Sequence, residues 1–390
     1  MPSAIPDSTV RSWRREFEIT RGVTFLNHAS FGPVPRRGRQ AVERLLHRQG
    51  CIPRDPNVDD ETFATVAAAK RGFARLVGEQ TARVSFAPNA SYGLNAVLWG
   101  TRLKRGERIL VPESEFPAVV YTVRHLAERL DLTVVPIPCP DGYFTAGALR
   151  RQLRRKSAIL ACSWVQYFNG YRYDLRELTG LCHAHGCLVL VDGTQGIGAI
   201  PMHMRRDGFD AVVCGAQKWL FGQTGAGFFA IAPDPVRRVE PLYSGWLAYD
   251  WGYRFEDLQH WDRPAYDDGR QWEVGTYPFY SVRLAEAGVA LINRCGIENV
   301  WRHLQDLIGR LAEGLSGTRY EARRFPEPIH RSAIVAVGGP QTAGLYRHLW
   351  GRRIYVSLRE GNIRVSPHLY NTRAEIDRLV EEIRRYDRAR

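Results

Sequence analysis

Lysine occurs four times in this chain of 390 residues, which otherwise spells its positive charges as arginine. Lys70, Lys104 and Lys156 adjoin arginines, in Lys70-Arg71, Lys104-Arg105 and Arg154-Arg155-Lys156. Lys218 stands apart, in Cys214-Gly-Ala-Gln-Lys-Trp-Leu-Phe-Gly222, with Trp219, Leu220 and Phe221 directly after it. Arginine keeps its proton at any usable pH, whereas a desolvated lysine gives its proton up. A neutral amine attacks a carbonyl and forms a Schiff base. The structural alternative is a buried or snorkelling lysine that only packs.

Other groups have the types and order to work with that amine. Asp192 follows the apolar run Cys187-Leu-Val-Leu-Val191, so it sits at a strand's carboxyl end, where α/β proteins meet ligands. Gln195 adds an amide. An electron-sink cofactor needs such a set, a lysine for the Schiff base and an anion beside a pyridinium nitrogen. As a plain alternative, Asp192 caps a helix. Pro88-Asn-Ala-Ser91 joins a strand to a helix, where exposed backbone N–H groups and the Ser91 hydroxyl suit a phosphate, or where Asn or Ser is simply a cap. Arg364, in Asn362-Ile-Arg-Val365, is a guanidinium on an apolar strand; its fork suits a carboxylate, and a structural ion pair would also explain it. Thr372 opens the following helix, with Glu375 at capping-box distance.

The elements that must position these groups alternate between two periods. Strands are read at Val84–Ala87, Arg108–Pro112, Leu132–Ile137, Ala158–Ala161, Cys187–Val191, Ala211–Cys214 and Gly227–Ile231, and helices at Val66–Leu76, Ser91–Trp99, Ala118–Leu130, Ala146–Leu153 and Leu175–His185. Continuous apolar strands separated by helices imply an α/β fold, a mostly parallel seven-stranded sheet covered on both faces. Tyr243 to Trp272 is rich in aromatics (Tyr253 among them) and lacks a period, as either a pocket-lining or subunit-bridging segment or a packed loop. One long helical pattern runs from Ser281 to Leu315, and alternating strands and helices after Ile334 suggest a smaller α+β C-terminal domain. The expected division is an N-terminal segment 1–23 packing on the small domain, a large domain 24–280, and a linking helix with the small domain 281–390.

Composition narrows the class. Hydrophobic content of 44% and charged content of 24% describe a globular chain. No apolar run reaches membrane-spanning length, and Met1-Pro-Ser-Ala-Ile-Pro-Asp7 is not a signal peptide. Seven dispersed cysteines without Cys-x-x-Cys spacing suggest reduced thiols, a cytoplasmic setting and no metal site. The net charge of +13 is spread as short pairs such as Arg36-Arg37, Arg205-Arg206 and Arg237-Arg238, which argues against a nucleic-acid partner and fits a solvated surface or a rim attracting anions.

Together these segments resemble the class V aminotransferase family of pyridoxal-phosphate enzymes, from about Thr24 to Arg385. Phe25-Leu-Asn-His-Ala-Ser-Phe-Gly32 resembles the entry segment of its isopenicillin N epimerase-like branch. Val191-Asp-Gly-Thr-Gln195, Gln217-Lys-Trp-Leu-Phe-Gly222, Glu273-Val-Gly-Thr276 and Arg364-Val-Ser-Pro-His-Leu-Tyr-Asn371 resemble further family motifs. The resemblance implies fold-type I and a homodimer with shared active sites. It implies that Lys218 holds pyridoxal 5'-phosphate and moves the substrate's α-proton, Asp192 pairs with the pyridinium nitrogen, and Gln195 contacts the phenolic oxygen. Asn89, Ala90, Ser91 and Gln217 would hold the phosphate, with Gly275 and Thr276 reaching in from the partner subunit. Phe116 would stack on the ring, Gln166 or Tyr167 would touch its face or phenolic side, and Asn27, His28 and Arg364 would bind the substrate.

Four departures qualify it. Gly215 stands where the family often has Ser, and Gln217 where it has His. Phe116 replaces the histidine of desulfurases. No Cys lies between Tyr355 and Arg364, where desulfurases carry their persulfide-forming thiol. The reading is a cytoplasmic pyridoxal-phosphate enzyme acting on an amino acid, aminotransferase-like, with β-eliminating C–S lyase or epimerase as alternatives. A ligand- or nucleic-acid-binding protein on the same fold is the distant one.

Overall fold

The computed structural model describes residues 5–52, 57–233, 239–252 and 255–389; Tyr253 and the pair Arg237-Arg238 lie outside the described residues. Seven strands build the main sheet: β2 (Val84–Ala87), β3 (Arg108–Pro112), β4 (Thr133–Ile137), β5 (Ile159–Ser163), β6 (Leu188–Asp192), β7 (Ala211–Gly215) and β8 (Gly227–Ile231), preceded in the chain by β1 (Thr24–Phe25). Their order is β2-β8-β7-β6-β5-β3-β4. The pairs from β4 through to β7 are parallel, and β8 alone is antiparallel to its neighbours. Alternate side chains feed two cores. Val212 and Cys214 of β7 join the cluster on one face, and Ala211 and Val213 join the cluster on the other. Every residue of β3, β5, β7 and β8 is buried, which is why these strands read as unbroken apolar runs.

Helix α1 (Asp7–Arg14) precedes β1, and α2 (Arg36–Cys51) and α3 (Asn57–Val77) follow it. Helix α4 (Ala90–Gly100) follows β2, and α5 (Pro117–Leu130) follows β3. The long pattern read from Ser281 to Leu315 is two helices, Phe279–Cys295 and Ile297–Gly314. They break at Gly296, whose φ of 77° is open to glycine and costly for other residues.

A four-stranded antiparallel sheet forms the smaller unit, in the order β12 (Ser357–Arg359), β13 (Asn362–Val365), β10 (Val335–Gly338), β9 (Glu321–Ala322). Its core joins Val335, Val337, Ile363 and Val365 to Leu307, Leu311, Ile376, Leu379 and Ile383 of the helices Ile297–Gly314 and Arg373–Arg388. The latter helix opens on the capping box of Thr372 and Glu375. Strand β1 pairs in parallel with β11 (Ile354–Tyr355), and Leu26 lies in the small unit's core. The start of the expected large domain is therefore tied to the smaller one. The N-terminal segment bridges both: Arg14 donates to Glu375, and the Phe17 ring lies 4.7 Å from Phe221. Among the described residues no helix is long and apolar enough to cross a membrane.

Candidate active site

Strands β6 and β7 run side by side and end on Asp192 and Gly215. Asp192 is buried, and one of its carboxylate oxygens accepts the Thr194 N–H at 2.9 Å. Lys218 follows β7 in a tight turn. Burial lowers its pKa; the positive Arg364 and Arg359 push the same way, and Asp192 opposes them. Its Nζ lies 5.3 Å from the centre of the Phe116 ring. Phe116 caps α5, is 37% exposed, and meets Tyr167 edge-to-face at 5.4 Å.

The lysine turn is gripped by backbone contacts. A Cβ on Gly32 would come within 2.4 Å of the Lys218 carbonyl oxygen, one on Gly198 within 2.5 Å of that of Trp219, and one on Gly288 within 2.0 Å of that of Leu220. Only glycine allows three remote segments this close to three successive carbonyls.

Arg364 of β13 is 2% exposed. Its guanidinium donates to the Tyr167 carbonyl at 2.7 Å and to Ser30 Oγ at 2.6 Å, and its Nε is buried with no partner. Ser30 Oγ donates in turn to Asn27 Oδ1, which also accepts from Ser357. No carboxylate pairs with Arg364 among the described residues, so the ion-pair alternative does not hold. Burial, with Arg359 adding, presses its pKa down to about 10.

Asn89 caps α4, its Oδ1 accepting the Tyr92 N–H at 2.9 Å. Its side chain is thereby engaged, and what the helix offers an anion is the free N–H groups of its first turn, Ala90 and Ser91 included, with the exposed Ser91 hydroxyl. Gly275 and Thr276 are exposed and line a cavity of about 260 Å³ with Pro88 and Tyr92 of their own chain. Among the described residues no cluster of His, Cys, Asp and Glu could hold a metal.

Several sequence expectations need correction. His28 is fully buried, ringed by Trp219, Phe221, His368 and Tyr370, with both ring nitrogens unpartnered, so it faces no substrate. Lys218 is half-buried, and the lysine away from water is Lys70, ion-paired to Glu273 at 2.7 Å. That Glu273 also accepts the Phe86 N–H, which anchors the Gly275–Thr276 loop to β2 and α3. Gln195 is held at both ends: its amide nitrogen donates to the Ala29 carbonyl and its oxygen accepts the Trp219 indole N–H. That leaves one amide hydrogen for a ligand. Tyr167 turns its hydroxyl to Glu360 and presents its carbonyl to Arg364. Gln166 is buried, its amide donating to Tyr173 while its oxygen has no partner.

Two participants were missed. Ser30 positions Arg364 from a segment more than three hundred residues away, a link that local pattern does not carry. Glu115 is buried beneath Phe116, where it accepts the N–H groups of Phe116 and Ser163. Burial, with Asp192 adding, pushes its pKa up to about 7 against the lowering pull of those hydrogen bonds. A carboxylate just before the stacking position was visible, and its burial was not.

A sheet of this order, with the lysine turn after β7 and an antiparallel small domain, is the fold-type I architecture of pyridoxal-phosphate enzymes. The chain belongs to the aminotransferase class-V family, whose model matches residues 54–379. It is similar to an uncharacterized aminotransferase of Bacillus subtilis, 26% identical over 83% of this chain and 84% of that one. It is also similar to the isopenicillin N epimerase of Streptomyces clavuligerus, at 27% over 93% and 94%. Among solved structures it resembles the protein C-DES with glycine covalently linked to its PLP cofactor, with a TM-score of 0.86 and 21% identity over 95% of this chain and 98% of that one.

Proposed function

We propose that this chain is a pyridoxal-phosphate enzyme that acts on an α-amino acid, with amino transfer as its reaction. The observation that carries this reading is the pairing of a half-buried Lys218, its pKa lowered by desolvation, with Arg364, a buried guanidinium that no carboxylate among the described residues neutralises. An amino acid brings an α-proton for the lysine and a carboxylate for the arginine.

The residues present fit the cofactor. Asp192 would stand at the pyridinium nitrogen, Gln195 would give its remaining amide hydrogen to the phenolic oxygen, and Phe116 would cover the ring. Ala90, Ser91 and Gln217 would hold the phosphate. When bound, the group supplies an electron sink for the negative charge left at Cα. Arg364 binds the substrate carboxylate, and Tyr167 and Ser30 fix the fork that does so. Lys218 Nζ, its pKa lowered by desolvation, takes the α-proton and returns it. Phe116 offers no proton at the ring face, so proton movement falls to Lys218. We place the sites at the interface of a homodimer. The exposed Gly275–Thr276 loop, fastened by Glu273 and Lys70, suits delivery to a second copy. Seven free cysteines suit a reducing cytoplasm.

The test is an absorbance spectrum of the purified protein with pyridoxal phosphate, before and after borohydride, followed by peptide mapping. A reduced chromophore fixed to Lys218, with α-hydrogen exchange of amino acids in heavy water, is expected. A colourless protein that stays colourless removes the reading.

A further inference from the structure

The turn that carries Lys218 departs from the family pattern at two positions, Gly215 and Gln217, and the two meet in space. A Cβ built on Gly215 would lie 2.4 Å from Gln217 Oε1 and 3.2 Å from both its Cδ and its Nε2. The Gln217 carboxamide is thus folded back over the end of β7, in the volume a side chain at 215 would fill. It is partly buried and makes no hydrogen bond with a described residue, so its donors are unspent. Gly215 pairs with Gly227 across the sheet, and a Cβ on Gly227 would lie 3.3 Å from Asn89 Cα. The strand end under the carboxamide therefore abuts the cap of α4, where the free N–H groups of the first turn are.

We infer that Gly215 is a positioning residue for Gln217. By lacking a side chain it lets the carboxamide lie at the anion seat and donate to the cofactor's phosphate. The inference rests on the proposed function and deepens it. None of Asn89, Ala90, Ser91, Gly215 and Gln217 is charged, so the seat grips a phosphate through neutral donors, without an imidazole that titrates near neutral pH. The φ at Gly215 is not positive, and the obstructing atoms are the tip of a flexible side chain. Gly215→Ala therefore moves Gln217 and leaves the fold standing.

The experiment titrates the apoprotein with pyridoxal phosphate and, separately, with pyridoxal, which lacks the phosphate, following absorbance and protein fluorescence. Gly215→Ala and Gln217→Ala each raise the Kd for pyridoxal phosphate about tenfold, the size of one lost hydrogen bond to a charged group. The double variant is no worse than either single one, because all three lose the same contact. The Kd for pyridoxal is unchanged throughout, which a general loosening of the turn would not produce. The pair Gly215→Ser with Gln217→His restores the affinity. Wild-type protein that binds no pyridoxal phosphate overturns the proposed function along with this inference. Wild type that binds, with Gly215→Ala or Gln217→Ala binding equally well, overturns this inference alone.

Discussion

A guanidinium removed from water with no carboxylate beside it is costly, and among the described residues Arg364 is in that position. A substrate carboxylate would recover part of that cost, so affinity for the substrate should depend on this residue far more than affinity for the cofactor. Arg364→Ala should raise the KM for the amino acid ~10- to 100-fold, the worth of hydrogen bonds to a charged group. Uptake of pyridoxal phosphate should not change. Arg364→Lys should not restore the KM, because one ammonium cannot reach the Tyr167 carbonyl, Ser30 and a carboxylate together. Steady-state kinetics beside a cofactor titration decide it, and an unchanged KM in Arg364→Ala ends the carboxylate role. At this scale the sequence was partly legible. Lys218, Asp192 and Arg364 stood out because charged groups sat in apolar surroundings. Lys70 did not, because its partner Glu273 lies two hundred residues on and nothing local marks a buried ion pair. His28 misled because a histidine in a motif reads as a ligand, and only packing shows that four rings enclose it.

At the scale of elements, strands were legible wherever both faces are buried, since an apolar run bounded by turns has few other uses. Direction was not: β8 runs against its neighbours, and alternation carries no arrow. Helix α3 begins at Asn57, well before Val66, and its first turns escaped the apolar pattern because they are mostly polar. The grip on the lysine turn was invisible as well. Gly288 looks like any glycine in a helix, where alanine is ordinarily better by ~1 kcal/mol. Here a Cβ would strike the Leu220 carbonyl oxygen at 2.0 Å, and backbone cannot swing aside. Gly288→Ala should therefore destabilise by ~1–3 kcal/mol and displace Lys218, weakening cofactor uptake. Gly180, inside the helix Leu175–His183, has nothing within 4 Å of a Cβ, and Gly180→Ala should stabilise by ~1 kcal/mol. Urea denaturation of the two variants gives opposite signs if the grip is real. The same sign for both would mean that the turn accommodates a side chain.

The molecule as a whole carries +13 charges, yet many arginines answer local acids, as in Arg39 with Glu18 and Glu43, Arg310 with Asp377 and Arg373 with Asp306. Its response to pH should come from groups buried without such answers. Burial lowers His28 and His368 below the ordinary 6.5, His368 to about 3. The stability they support is present above pH 6.5 and is lost as pH falls toward their folded values, at about 1.4 kcal/mol per unit for each. Glu115 is raised from 4.5 to about 7, so its term has the opposite sign: present below 4.5 and lost as pH rises through 7. His303 is lowered by burial as well and Glu286 raised, so between pH 4.5 and 6.5 three histidines act against two glutamates. Unfolding free energy should rise with pH there, then decline gently to about pH 7 as Glu115 ionises. Neither His28 nitrogen has a partner, so an apolar side chain of similar size forfeits no hydrogen bond. His28→Leu should thus remove one of the histidine terms and make the acid limb shallower. Urea denaturation at half-unit steps from pH 4.5 to 8 measures the slope directly. An acid limb as steep in His28→Leu as in the wild type would mean that His28 takes up its proton inside the folded protein, and that the ring cage around it admits water.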